Sequence, residues 1–219
     1  MNSRIFCNTL SAARPEMDLS MKPALPSSLK EERTHGSELF HFWLFTPQML
    51  LPTPFFVAPH WHEEIEIVYF SGGTFHSRSK YGALSGRFGG HLLHPLRRTA
   101  PDLFPRTAVQ SPRSFFSPYL LTFLSNDAAQ RRLLGPLTDD TLLLPRCIHS
   151  TDPCFGQVLS EYQKIVRQCH NQDGIDVIEA TPQLFIKAAL LNILGICSEH
   201  GLLTSKQPSR DQNIEDLNE

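Results

Sequence analysis

The 219-residue chain carries 20 basic against 22 acidic residues and is 41% hydrophobic, the make-up of an ordinary globular protein with one sizeable core. That balance excludes a strongly basic or strongly acidic binding protein. No run approaches about 18 consecutive apolar residues, and Arg4 is not followed by a signal-peptide core, so a cytoplasmic location is expected. Cys7, Cys147, Cys154, Cys169 and Cys197 are odd in number and never spaced Cys-x-x-Cys, which reads as buried thiols in a reduced compartment.

Residues 1 to 35 mix Pro15, Pro23 and Pro26 with serines and charges without periodicity, and read as a disordered lead-in. Residues 36 to 150 form the expected β domain. Its front is Phe40, Phe42, Trp43 and Phe45, then Phe55-Phe56-Val57, then Ile65 to Phe70, punctuated by Pro47, Pro52, Pro54 and Gly72-Gly73. Residues 115 to 150 are short apolar runs and turns. From 151 to 200 the period changes to helical: Asp152-Pro153 is a cap followed by a first-turn proline, after which Phe155, Val158, Leu159, Tyr162, Ile165, Val166 and Cys169 recur at three- and four-residue steps. Asn171 to Gly174 ends that helix and Thr181-Pro182 opens the next, which is apolar nearly all round from Leu184 to Ile196 and asks for burial on more than one side. Interrupted by Lys187, it is expected to be too short to span a bilayer. Residues 201 to 219 are a polar tail.

Candidate chemistry concentrates at His60-Trp61-His62-Glu63-Glu64-Ile65-Glu66-Ile67. In an extended strand His60, His62, Glu64 and Glu66 share one face, while Trp61, Ile65 and Ile67 share the other. Imidazoles and carboxylates converging in this way suit a divalent metal, a polar ligand or one another. Glu63 points away and reads as a surface carboxylate. No G-x-S-x-G, P-loop or G-x-G-x-x-G occurs.

The spacing of His60, His62, Glu66 and Gly73 resembles the first motif of the cupin superfamily of small β-barrels. The wording Pro59-His60-Trp61-His62-Glu63-Glu64-Ile65-Glu66-Ile67-Val68-Tyr69 is more similar to the sensing domain of AraC-type transcriptional regulators. Arg33-Thr34-His35-Gly36, Leu39-Phe40, Asn126-Asp127, Pro136-Leu137, Leu144-Pro145 and the run Phe185 to Leu191 extend the likeness over residues 30 to 73 and 116 to 200. The resemblance implies a mainly β fold with C-terminal helices: a cupin-like (RmlC-like jelly-roll) barrel, here incomplete, followed by an α-helical hairpin. It also implies a homodimer through residues 154 to 197, and a small-molecule effector, a sugar or related polar metabolite, held by His60, His62, Glu64, Glu66 and Tyr69 without a cofactor. DNA would be reached only through a C-terminal helix-turn-helix domain, for which the tail after His200-Gly201 leaves no room.

Residues 74 to 113 depart from this pattern. They hold seven basic residues against the single acid Asp102, leaving 13 basic and 21 acidic elsewhere. Read alone they form a basic arm of the kind that neutralises phosphates, yet they lack helical period and any recognition-helix pattern. The second cupin motif is expected in this stretch, and Gly89-Gly90-His91 and His94-Pro95 imitate only fragments of it. Translation out of frame would explain the gap. Shifting a back-translation of residues 75 to 103 by one nucleotide permits a string, absent from this chain, with strand alternation and family-like turns.

The leading expectation is thus an effector-sensing and dimerisation module, not an enzyme. The alternative is a metal-dependent cupin isomerase or dioxygenase using His60, His62 and Glu66 as ligands. A nucleic-acid-binding protein working through residues 74 to 113 is the third.

Overall fold

The computed structural model describes residues 30–31, 35–46, 61–72, 74–79, 82–87, 91–93, 109–169 and 179–205. Its strands are β1 (Phe42–Phe45), β2 (Ile65–Gly72), β3 (Thr74–Ser79), β4 (Gly82–Arg87), β5 (His91–Leu93), β6 (Val109–Phe116), β7 (Leu142–Leu143), β8 (Cys147–Ile148) and β9 (Thr204–Ser205). The α-helices are α1 (Gly135–Thr138), α2 (Phe155–Cys169) and α3 (Ala180–Glu199), with a 3-10 turn at Pro118–Leu121 and a π-helical turn at Gln130–Leu134 leading into α1. The expected strand at Phe55-Phe56-Val57 and the helix stop at Asn171 to Gly174 lie outside the described residues. The stretch read as a basic arm carries strands: β3 and β4 form an antiparallel hairpin, and β5 joins the main sheet.

That main sheet has the order β1-β6-β2-β5-β8, each neighbour antiparallel. Because side chains alternate across a strand, its register sorts residues onto two faces. Phe42 pairs with Phe116, which pairs in turn with Ile65, and Leu44 and Ile67 both pair with Ser114; all of these look toward the helices. Trp43, Phe115, Glu66, Arg113 and Val68 occupy the opposite face by the same alternation. Both sides of β2 are therefore covered, which is why Ile65, Glu66, Ile67, Val68 and Phe70 are all buried.

Between Val68↔Arg113 and Phe70↔Gln110 the register slips, so that two residues of β6, Ser111 and Pro112, stand opposite Tyr69 alone. Such a bulge bends the strand and re-aims its side chains. It also explains how a proline is tolerated in a central strand, since the irregular position requires no ladder donor there.

The helix-facing core joins Phe40, Phe42, Ile65, Ile67 and Phe116 to Val158, Tyr162, Ile165 and Cys169 of α2 and to Ile186, Ala189, Leu190, Ile193, Leu194 and Cys197 of α3. Their spacing at three and four residues is what places them on one side of each helix. The helix starts differ from the sequence expectation. Asp152 does not cap the free amides of α2; its Oδ2 accepts the amide of His149 at 2.7 Å, and α2 begins after a further turn. In α3, Thr181 and Pro182 lie inside the first turn, behind Glu179, which makes no side-chain cap. Pro182 is harmless there because first-turn amides have no partner within the helix.

The end of α3 is specified by Gly201, whose φ of +64° a side chain would resist. The Leu202 amide then reaches the Cys197 carbonyl at 2.9 Å and the Gly201 amide that of Ser198, closing a Schellman motif. At 20 residues α3 is long and apolar enough, by length and composition alone, to cross a bilayer, so the expected length argument against a span does not hold. Lys187, read as an interruption, rests its ammonium 5.9 Å from the centroid of the Phe40 ring, and Ile186 beside it is fully buried. The other side of α3 leaves Leu184 and Phe185 more than half exposed, together with Ala188 and Gly195.

Candidate functional site

On the sheet face away from the helices lies a compact polar cluster. Glu66 enters it from β2, paired across the ladder with Phe115, and its Oε1 stands 3.4 Å from the Arg113 guanidinium on the diagonal position of β6. Glu66 is 2% exposed and Arg113 8%, so neither charge is dissolved in water. His62 and Glu64 reach the same place by a bend preceding β2, not by strand alternation, since β2 begins only at Ile65. His62 Nδ1 is 3.4 Å from Glu64 Oε2 and its Nε2 is 4.0 Å from Glu66 Oε2. These are ion-pair distances, longer than a good hydrogen bond.

His35 completes the cluster. Its Nδ1 lies 3.5 Å from Glu64 Oε1, so Glu64 stands between two imidazoles, and its Nε2 lies 3.9 Å from Glu31. The His35 ring stacks on Phe115 with centroids 4.2 Å apart and planes 5° from parallel, and meets Trp43 and His62 edge-on. A close turn brings it there: Gly36 has φ +84°, and a Cβ at that position would lie 2.5 Å from the Phe42 amide nitrogen. Only glycine lets the backbone come that near β1.

Burial works against charge on His62, but its contact with Glu64 and the negative charges of Glu66, Glu64 and Glu31 outweigh it, and its pKa is raised. For Glu64, burial pushes the pKa up, yet contacts with His35 and His62 prevail and hold the carboxyl well below the usual carboxylate range. The signs set a pH window. A raised His62 value gives stability that is complete below its ordinary 6.5 and is lost as pH climbs through the folded value. A lowered Glu64 value gives stability present above its ordinary 4.5 and lost as pH falls through the folded value. Thermal stability is therefore expected to peak between pH 4.5 and 6.5. A His62→Gln variant should lose the decline on the alkaline side; a parent melting temperature that stays flat from there into mildly alkaline pH would contradict the assignment.

The expected site residues divide as follows. His62, Glu64 and Glu66 come together. His60 lies outside the described residues. Tyr69 alternates with Ile65 and Ile67 and packs toward the helix-side core, on the opposite face from Glu66. Trp61 is half-buried beneath the Lys30 ammonium, 5.2 Å from its ring, and Glu63 is exposed and paired with Lys30 at 3.1 Å. Sequence reasoning missed His35, Trp43, Phe115 and Arg113. For His35 the signal was its place beside Gly36 within the resembling stretch; Arg113 carried none, being counted among the basic arm.

Among the described residues no group of three or more His, Cys, Asp or Glu side chains is arranged to hold a metal ion. Arg113 already sets a positive charge against Glu66, which opposes a divalent cation at the same carboxylate. Away from the cluster, Cys147 Sγ lies 3.9 Å from His149 Nδ1, but burial and the nearby Asp152 push this thiol up to about 12, which withholds the thiolate a nucleophile needs. No protein-family model matches the chain, and no curated protein matches it.

Proposed function

We propose that the chain is the effector-sensing and dimerisation part of an AraC-type transcriptional regulator. The observation that carries this reading is the cluster of buried His35, His62, Glu66 and Arg113 with half-buried Glu64, on one face of a sheet whose other face is taken up by two helices. Carboxylates, imidazoles and a guanidinium together offer both acceptors and donors, the chemistry that recognises a hydroxyl-rich metabolite such as a sugar. A cupin-like barrel built on the main sheet would present them to that ligand. The half-exposed apolar side of α3, with Leu184 and Phe185, suits a homodimer contact within residues 154 to 197. Contact with DNA would be the work of a helix-turn-helix domain outside these residues, in the cytoplasm.

Thermal-shift screening against sugars and related polar metabolites tests the proposal. At least one class is expected to raise the melting temperature of the parent and to lose that effect in Glu64→Ala. A panel without any shift, or a shift that the variant retains, overturns the reading.

A further inference from the structure

The polar cluster and the helices lie on opposite faces of one sheet, and the side chain of Tyr162 connects the helix side to the strand that carries Arg113. Tyr162, in the middle of α2 and 1% exposed, donates its hydroxyl hydrogen to the carbonyl of Pro112. That carbonyl belongs to the bulge of β6, beyond the last β1 pairing at Arg113, where the ladder to β1 has ended and the ladder to β2 is interrupted. The next residue is Arg113, whose guanidinium turns to the other face and meets Glu66 at 3.4 Å.

We propose that Tyr162 is the positioning residue through which the arrangement of the Glu66–Arg113 pair is passed to α2 and, by its packing, to α3. The peptide between Pro112 and Arg113 is the shared part. Its carbonyl is held from the helix side, while the backbone orientation of Arg113 is set from the cluster side. A ligand that draws the guanidinium away from Glu66 turns this peptide and shifts the acceptor of the Tyr162 hydroxyl. The bulge makes that movement local, because the extra residue leaves the strand without a strict register there. Tyr162 touches no ligand in this scheme; it transmits. The inference rests on the sensor reading only for what would disturb the pair.

A double-mutant cycle on the full chain tests it without any effector. Tyr162→Phe, Glu66→Gln and the double variant are compared by equilibrium denaturation and by amide hydrogen exchange. The expected coupling is about fivefold in the unfolding constant, beyond the product of the single effects. Glu66→Gln should also speed exchange around residue 162 in α2, and should do so no longer when Phe replaces Tyr162. Additive single effects, with exchange changes confined to β2 and β6, overturn the proposal. Should Tyr162→Phe fail to fold, Arg113→Lys gives the reading by exchange alone: faster exchange in α2 supports the coupling, and a change limited to the strands overturns it. Additivity would count against the coupling and leave sensing to the metabolite screen.

Discussion

Arg113→Ala should destabilise the fold by about 3–5 kcal/mol, the range for removing one partner of a buried ion pair. The expectation follows from what is left behind. Glu66 is 2% exposed at the second position of β2, across the ladder from Phe115 and 4.0 Å from His62 Nε2, and without Arg113 it loses the guanidinium that faces it. The loss reflects an orphaned charge more than a lost attraction, so a compensating change should restore most of it. Arg113→Met combined with Glu66→Leu, which removes both charges and keeps the volume, is expected to recover the greater part of the stability. Urea denaturation of the three proteins measures this. A loss below about 1 kcal/mol in Arg113→Ala would show that the pair behaves as an exposed one.

Phe116→Ala is the second large effect, about 3–5 kcal/mol. Phe116 stands between Phe42 and Ile65 on the helix-facing side of β6 and is 2% exposed. Truncation removes its own buried surface and opens a void that backbone pairing on both sides keeps from collapsing. The denaturation midpoint should fall while its dependence on denaturant stays the same, because the surface exposed on unfolding hardly changes. A cost near 1 kcal/mol would mean that the site closes around the smaller side chain, and that this face of the sheet is not the rigid base of the core.

The helices were legible because burial on one side imprints a three-to-four-residue period that Val158, Tyr162, Ile165 and Cys169 keep without a break. Their starts were not. Asp152 and Thr181 have the composition of caps, but the Asp152 carboxylate found the amide of His149 and left the helix to begin later. A side chain that can accept from either direction does not announce which it will choose. In β2 the alternation of Ile65, Glu66 and Ile67 suggested a strand with one polar face and one apolar face, and the burial of Glu66 together with Ile65 and Ile67 shows that both faces are covered. The partners of Glu66 were hidden by distance along the chain. Arg113 lies 47 residues away, and its charge, added to six others, looked like part of a solvated arm. His62 and Glu64 were rightly grouped with Glu66 for the wrong reason, since a bend and not strand alternation delivers them.

The cysteines that the two long helices bury in the core carry a chemical consequence. Removal from water pushes the thiols of Cys169 in α2 and Cys197 in α3 up to about 12, and Cys197 is 1% exposed. Only the thiolate attacks an alkylating reagent or a disulfide, so while α2 and α3 stay packed both sulfurs are shielded twice over, by access and by protonation. Moving α2 and α3 off the core lifts both protections at once, and the rate at which these residues become reactive is therefore a clock for helix separation built into the chain.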